Sequence, residues 1–212
     1  MRILFIGNSF TARNNLPALI ARLANERGTT IEHRLVSAGG ASLRQHLNAG
    51  PALAAIADGA YDIVVLQEQS TLPGRNAARM HDSVRDFHAA IERSGARTAL
   101  YLTWARRNTP DAQQAITTAY ATIAAELGAT LVPVGMVWER FLSMHDRPTL
   151  HDADGSHPAL AGSYLAACVF LVSLLGEHPV DISVPVKGLD ADTAALLRQA
   201  AWDICEDIAV GR

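Results

Sequence analysis

The sequence has few cysteines and no long apolar run, and both absences exclude classes of protein. Its two cysteines, Cys168 and Cys205, lie on apolar helical faces, so neither a disulfide framework nor a cysteine metal site is expected. The longest apolar segment, 164–175, has about twelve residues, whereas a membrane-spanning helix needs roughly 20. No signal peptide is recognisable, because the apolar run after Met1 is too short. We therefore expect a cytoplasmic protein without a membrane span.

Strong charge is also missing. The net charge is −3 at pH 7, which is too small to indicate a nucleic-acid or membrane-surface partner. Apolar residues make up 49% of the chain and charged residues 18%, so intrinsic disorder is not expected. The length of 212 residues suits a single domain, 1–212, with a substantial core. Nothing in the sequence indicates an oligomeric state.

Short apolar segments alternate with helical patterns along the chain. Five segments have the length and composition of strands: 3–6, 30–36, 62–66, 97–103 and 130–134. Helices are expected at about 15–27, 43–57 with a break near 50, 77–94, 110–127, 137–144, 159–175 and 189–208. Thr109 and Pro110 are typical of the N-cap and first residue of a helix. The alternation predicts a parallel sheet covered on both faces. We expect an α/β fold, a flavodoxin-like three-layer α/β/α sandwich with strand order 2-1-3-4-5.

A serine lies where the first predicted strand gives way to a helix. Gly7, Asn8 and Ser9 follow the apolar run at 3–6. Ligands of parallel sheets bind at the carboxyl ends of the strands, and a serine placed there becomes a nucleophile when a base lies nearby. Ser9 could instead cap the turn. The segment is not a dinucleotide motif, since it lacks the second and third glycines of GxGxxG, and no Walker A motif is present.

Among the eight histidines, His157 has the most informative surroundings. Asp154 lies three residues upstream, and a tight loop can fold this carboxylate onto the imidazole Nδ1–H, leaving Nε2 free as a base. The alternative is an acidic loop that caps the next helix. His151 and Asp152 lie in the same loop, and the four side chains are possible metal ligands. Their spacing matches neither a calcium loop nor a zinc-binding helix, so no metal is expected.

Three segments together resemble the motif blocks of the SGNH (GDSL-like) hydrolase superfamily, in order and across nearly the whole chain. They are the Gly-Asn-Ser segment ending at Ser9, Gly40 after the second strand, and the Asp-Gly-Ser-His segment from Asp154 to His157. The resemblance implies that Ser9 is the nucleophile, His157 the base and Asp154 the residue that orients it. It also implies the flavodoxin-like fold and a reaction that needs no cofactor.

The sequence departs from the family pattern at two places. Asn8 stands where the family usually has aspartate, which is a mild change. The family's third block places an asparagine in the oxyanion hole, whereas this chain has Gln67-Glu68-Gln69-Ser70. Gln69 aligns with that asparagine and can donate its amide from a longer arm. The implied oxyanion hole is thus the backbone of Ser9 and Gly40 with Gln69, and Gln67 is an alternative donor. Both glutamines could also be ordinary polar residues at a strand end.

These observations favour a serine esterase that releases a small acyl group, such as acetyl, from a carbohydrate or another alcohol. The expected partner is a small-molecule ester. Asn8, Gln67, Trp104 and Arg106 are candidate substrate contacts: Trp104 could stack on a sugar, and Arg106 could bind a carboxylate or remain in solvent. A non-catalytic ligand-binding module on the same fold is one alternative. A thioesterase or lysophospholipase is another.

Overall fold

The computed structural model describes residues 1–211 and contains a five-stranded parallel sheet. Its strands are β1 (Arg2–Gly7), β2 (Glu32–Ser37), β3 (Ile63–Leu66), β4 (Arg97–Tyr101) and β5 (Thr130–Val132). The order across the sheet is β2-β1-β3-β4-β5. Both the predicted fold class and the predicted strand order are therefore confirmed.

Helices connect the strands and cover the sheet. They are α1 (Ser9–Ala12), α2 (Leu16–Glu26), α3 (Leu43–Ala49), α4 (Pro51–Asp58), α5 (Leu72–Arg75), α6 (Ala77–Ser94), α7 (Ala112–Leu127), α8 (Val134–Met144), α9 (Leu160–Leu175) and α10 (Ala191–Ala209). A 3-10 turn, Arg13–Asn15, joins α1 to α2. Within residues 1–211, no helix has the length and apolar character needed to cross a membrane.

The continuous apolar run of β1 follows from its position between two helical layers. Side chains alternate between the faces of a strand. Ile3 and Phe5 accordingly join the core formed with α2, α9 and α10, while Leu4 and Ile6 join the opposite core formed with α3, α4, α6 and α7. Both faces are covered, so every position from Ile3 to Ile6 is apolar and buried. Burying each such side chain contributes about 1.5–3 kcal/mol to stability.

Several predicted boundaries are wrong. β4 ends at Tyr101 rather than at residue 103, and α8 begins at Val134 rather than at residue 137. Thr109 and Pro110 do not begin α7; they form a preceding turn in which their carbonyls accept the N–H groups of Ala112 and Gln113, at 3.1 and 3.0 Å. The Gln113 side chain is tied to the segment after β4, accepting from Ala105 N at 2.7 Å. The fifth strand ends at Val132, because the backbone of the next residue, a proline, already leads into α8. These differences leave the carboxyl edge of the sheet, where the candidate site lies, as predicted.

Candidate active site

Ser9 is the first residue of α1, and the turn before it is held by hydrogen bonds from three directions. Asn8 caps the helix, its Oδ1 accepting from Phe10 N at 3.0 Å. Its Nδ2 donates to the Ala41 carbonyl at 3.0 Å, so the loop after β2 is tied to the serine turn. Asn8 N donates to Gln67 Oε1 at 2.9 Å. The backbone that carries Ser9 is therefore set by β1 and by the loops after β2 and β3.

The structure brings together the three residues predicted as catalytic. Ser9 Oγ lies 2.8 Å from His157 Nε2, and His157 Nδ1 lies 2.5 Å from Asp154 Oδ2. The other Asp154 oxygen, Oδ1, accepts the N–H groups of Ser156 and His157, each at 2.9 Å. The hydrogen bond from His157, followed by those two N–H groups, holds the pKa of Asp154 well below its usual range. An ionised Asp154 favours the His157 tautomer with hydrogen on Nδ1, which leaves Nε2 as a base toward Ser9.

The loop that carries Asp154 and His157 closes on itself. Asp152 N donates to the His157 carbonyl at 2.8 Å, and Gly155 N donates to the Asp152 carbonyl at 3.0 Å. Gly155 has a φ of +67°, a conformation that glycine adopts without the steric cost of a Cβ atom. Arg107 N donates to the Gly155 carbonyl at 2.8 Å. The loop after β4 therefore holds the tip of the loop that carries Asp154 and His157, which we call the histidine loop.

A cavity of about 170 Å³ opens beside Ser9 and His157, and Gly40 and Gln69 line it. Within residues 1–211 the backbone N–H groups of Ser9 and Gly40 donate no hydrogen bond. Gln69 Oε1 accepts from Thr71 N at 2.9 Å, Thr71 Oγ1 at 3.0 Å and Leu72 N at 3.0 Å. Within residues 1–211 the Gln69 amide nitrogen forms no hydrogen bond, so this lining residue keeps an N–H donor available. The arrangement suits the stabilisation of an oxyanion.

Glu68 is a buried acidic residue that the sequence reasoning missed. Its Oε1 accepts from Gln69 N at 2.6 Å and from Leu43 N at 3.0 Å. Glu68 Oε2 is buried and has no hydrogen-bond partner within the described chain. Burial raises the pKa of this carboxyl group. Glu68 thus links the segment after Gly40 to Gln69. The only signal in the sequence is a charged residue two positions after a buried strand.

Gln67 does not reach the cavity, which corrects its expected roles as a substrate contact and as the alternative oxyanion donor. The side chain is fully buried, and its Oε1 accepts from Asn8 N and Thr11 Oγ1, both at 2.9 Å. Its Nε2 donates to the Glu68 carbonyl. Both polar atoms of the side chain are thus engaged inside the protein. Gln67 instead supports the serine turn, because its Oε1 binds the backbone N–H of Asn8, the residue before Ser9.

Trp104 is also not a sugar-stacking residue. It is 1% exposed and stacks between Phe10 and Trp138, with ring centroids 4.8 and 3.9 Å away. Because Trp104 lies in the aromatic core, the prediction that it contacts the substrate is wrong. Arg106 is exposed and lines the cavity. Asn8 also lines it, but its amide is engaged in the hydrogen bonds that hold the serine turn.

No group of three or more possible metal ligands occurs in residues 1–211. The candidates in the histidine loop point apart. His151 Nε2 lies 3.0 Å from the Ala105 carbonyl, and Asp152 pairs with Arg13 at 2.7 Å. The remaining two, Asp154 and His157, are bonded to each other. The geometry therefore uses these side chains in hydrogen bonds rather than in a shared coordination sphere.

Comparison with known proteins identifies the class to which this chain belongs. No protein-family model matches the chain, and no curated protein matches it. Among solved structures, a candidate SGNH hydrolase from Slackia heliotrinireducens is 33% identical, with a TM-score of 0.73 over 82% of this chain and 98% of that one. The chain belongs to the SGNH hydrolases, which confirms the resemblance seen in the sequence.

Two more distant structures share the fold. A DUF4886-family protein from Bacteroides uniformis is 19% identical, with a TM-score of 0.78 over 97% of this chain and 95% of that one. A variant of an acetyl-xylooligosaccharide esterase from Geobacillus is 18% identical, with a TM-score of 0.67 over 83% of this chain and 94% of that one. At these identities the likeness concerns the fold alone.

Proposed function

We propose that the protein is a serine esterase that removes a small acyl group, such as acetyl, from a carbohydrate or another alcohol. The observation that carries the proposal is the hydrogen-bonded chain from Ser9 Oγ through His157 to Asp154, with links of 2.8 and 2.5 Å. Such a chain turns a weakly nucleophilic hydroxyl into a nucleophile. Membership of the SGNH hydrolases supports the proposal, as does the likeness of the fold to that of an acetyl-xylooligosaccharide esterase.

In the first half of the reaction, Ser9 Oγ attacks the ester carbonyl carbon while His157 Nε2 takes the hydroxyl proton. Asp154 stabilises the imidazolium that forms. The negative charge on the carbonyl oxygen is stabilised by the N–H groups of Ser9 and Gly40 and by the Gln69 amide; one such donor contributes about 2.7–4 kcal/mol to lowering the barrier. The tetrahedral intermediate then breaks its bond to the alcohol oxygen, which takes the proton from His157.

In the second half, water hydrolyses the acyl-serine. His157 Nε2 takes a proton from the water as its oxygen attacks the acyl carbon, and the same donors stabilise the second oxyanion. Breaking the bond to Ser9 Oγ releases the carboxylic acid and returns the proton to the serine. The cavity of about 170 Å³ is small compared with the roughly 300–1,000 Å³ of drug-sized ligand sites. This size favours a short acyl group.

The decisive experiment measures p-nitrophenyl acetate hydrolysis by the wild type, Ser9→Ala and His157→Ala. Turnover should fall about 10³-fold or more in both variants, and combining them should cost little more because the residues act as a unit. The controls are Ser143→Ala and His33→Ala: Ser143 is exposed near the end of α8, and His33 is exposed on β2, where it pairs with Ile3 near the start of β1. Equal rates in the wild type and in both site variants would overturn the proposal.

An acyl-chain series separates the alternatives. Rates that rise steadily with chain length in p-nitrophenyl esters or acyl thioesters would replace the short-acyl assignment with a thioesterase or lysophospholipase. Ligand binding in the absence of turnover by the wild type would indicate a non-catalytic binding module. A short-acyl esterase should prefer acetate over longer chains, and its preference should be lost in Ser9→Ala.

A further inference from the structure

A second and larger cavity adjoins the one at Ser9. It has a volume of about 410 Å³, within the roughly 300–1,000 Å³ of small-molecule sites. Its walls are α5, the segment after β4 and the first two turns of α7. Ser70 and Arg106 line both cavities. A ligand with its ester group at Ser9 can therefore place one end in the small cavity and the other in this groove.

The groove has an apolar floor and a cationic rim. Ala112, Ala115 and Ile116 supply the apolar surface, which suits the body of an organic molecule. Arg75 and Arg106 lie in its wall and are both exposed. Among the described residues, none of the side chains that line the groove is acidic. The groove is thus positively charged in a chain whose net charge is −3.

Within residues 1–211, Arg75 and Arg106 form no ion pair, in contrast to Arg13, which pairs with Asp152 at 2.7 Å. Other exposed arginines of the described chain, such as Arg93, are also unpaired, so it is the position of Arg75 and Arg106 in the wall of one groove that distinguishes them. An unpaired guanidinium presents a planar set of N–H donors that matches a carboxylate or phosphate group. The guanidinium groups of Arg75 and Arg106, beside one apolar groove, therefore complement a ligand that has an apolar body and an anionic group.

We propose that the groove binds the alcohol part of the ester and that Arg75 and Arg106 select an alcohol bearing an anionic group, a carboxylate or a phosphate. The inference rests on the proposed esterase function and names the substrate class for the same site. The short acyl group occupies the small cavity beside Gly40 and Gln69, and the alcohol extends past Ser70 into the groove. The anionic group then lies at the rim, where a guanidinium can bind it without losing its own hydration completely.

The test compares three acetate esters with similar aromatic alcohols. Para-acetoxybenzoate carries a carboxylate, para-acetoxyphenyl phosphate carries a phosphate, and the methyl ester of para-acetoxybenzoate is neutral. Each kcat/KM is divided by the spontaneous hydrolysis rate of the same ester, which corrects for differences in leaving group. The wild type should prefer one of the anionic esters over the neutral one by roughly tenfold or more. The anionic ester with the higher normalised kcat/KM shows whether the groove selects a carboxylate or a phosphate.

Arg75→Gln and Arg106→Gln should each lower the ratio of anionic to neutral kcat/KM by several-fold, and the double variant should bring it close to one. The control is Arg93→Gln, which makes the same change in charge at an exposed position near the end of α6. Because α6 leads into β4, this end lies at the amino edge of the sheet. The preference should also weaken with added salt, which screens exposed charges.

The outcomes separate this inference from the proposed function. If the wild type hydrolyses all three esters through Ser9 with equal normalised rates, the groove does not select anions, while the esterase function stands. An equal loss of preference in Arg93→Gln would show an effect of net charge, and would also overturn the assignment of the groove. If no ester is hydrolysed in a Ser9-dependent manner, the proposed function itself fails.

Discussion

Trp104 donates its indole N–H to the carbonyl oxygen of Ser156 at 3.0 Å, so the aromatic core of the protein holds the residue next to His157. The indole is itself stacked between Phe10, one residue after Ser9, and Trp138 of α8. The ring of Phe10 also lies 5.6 Å from the His157 ring. A single buried ring thereby links the segments that carry Ser9 and His157.

Trp104→Phe should lower both stability and activity. The substitution removes the hydrogen bond to Ser156 and leaves a small cavity, and together these should cost about 1–3 kcal/mol in the free energy of unfolding. The less constrained His157 should reduce kcat about tenfold, since a small misplacement of a catalytic group is costly. Urea unfolding and ester hydrolysis measure the two effects. Trp202→Phe, which alters a ring packed on His178, is the control, and an equal loss of kcat there would contradict the argument.

Gln69→Glu should separate the two uses of the Gln69 side chain. The glutamate keeps an oxygen for the bonds from Thr71 and Leu72 but replaces the amide N–H donor with a negatively charged oxygen. We expect kcat to fall about 10²–10³-fold with little change in the melting temperature. Gln69→Ala should lose both the donor and the loop bonds, and so should also lower the melting temperature. A Gln69→Glu variant with wild-type kcat would show that Gln69 does not stabilise the oxyanion.

Asp154→Asn should inactivate the enzyme without changing the shape of the loop. The N–H groups of Ser156 and His157 bind Oδ1, so the amide nitrogen of Asn must take the position facing His157 Nδ1. It then donates to Nδ1 and forces the imidazole hydrogen onto Nε2, which can no longer act as a base. We expect kcat to fall about 10³–10⁴-fold with KM nearly unchanged. Hydrolysis kinetics test this, and a loss of less than about tenfold would contradict the assigned tautomer.

The pH dependence of the wild type provides a separate check on Asp154. Because hydrogen bonds lower its pKa below the usual 3.8, the folded state releases this proton more readily than the unfolded chain. The resulting stabilisation is complete above the unfolded pKa and is lost as the pH falls through the folded pKa. Asp154 should therefore stay ionised in all mildly acidic buffers. A carboxylate signal that titrates above 3.8 in carbon-13 NMR, assigned by its absence in Asp154→Asn, would be inconsistent with the structure.

Glu68 should give the opposite dependence. Burial raises its pKa above the ordinary 4.5, so the folded state binds this proton more tightly than the unfolded chain. Its contribution to stability is complete below the unfolded pKa and is lost as the pH rises through the folded pKa. The wild type should therefore lose stability relative to Glu68→Gln as the pH rises above 4.5, by up to about 1.4 kcal/mol per pH unit.

Urea unfolding across this pH range measures the difference between the wild type and Glu68→Gln. Glu26→Gln, at the exposed end of α2, is the matched control and should show no comparable trend. If the free energies of unfolding of Glu68→Gln and the wild type differ by the same amount at all pH values, the pKa of Glu68 is not raised by folding, and the prediction is wrong.

The sequence by itself determined the sheet and the three residues at the centre of the candidate site. Buried parallel strands need apolar residues on both faces, so β1 and β3 stand out as continuous runs between helical patterns. Asp154 and His157 lie within one turn of chain, and Ser9 directly follows a strand. These relationships are local, and the carboxyl edge of a parallel sheet brings the separate pieces together.

Only the tertiary structure decided which other polar residues reach a ligand. Gln67 and Gln69 are two residues apart, yet one is buried beneath the serine turn and the other lines the cavity. Trp104 became a core residue because Phe10 and Trp138, from distant segments, cover both faces of its ring. The groove likewise forms where α5 meets α7. Burial and cavity shape depend on contacts between elements far apart in the chain, and spacing along the sequence does not record them.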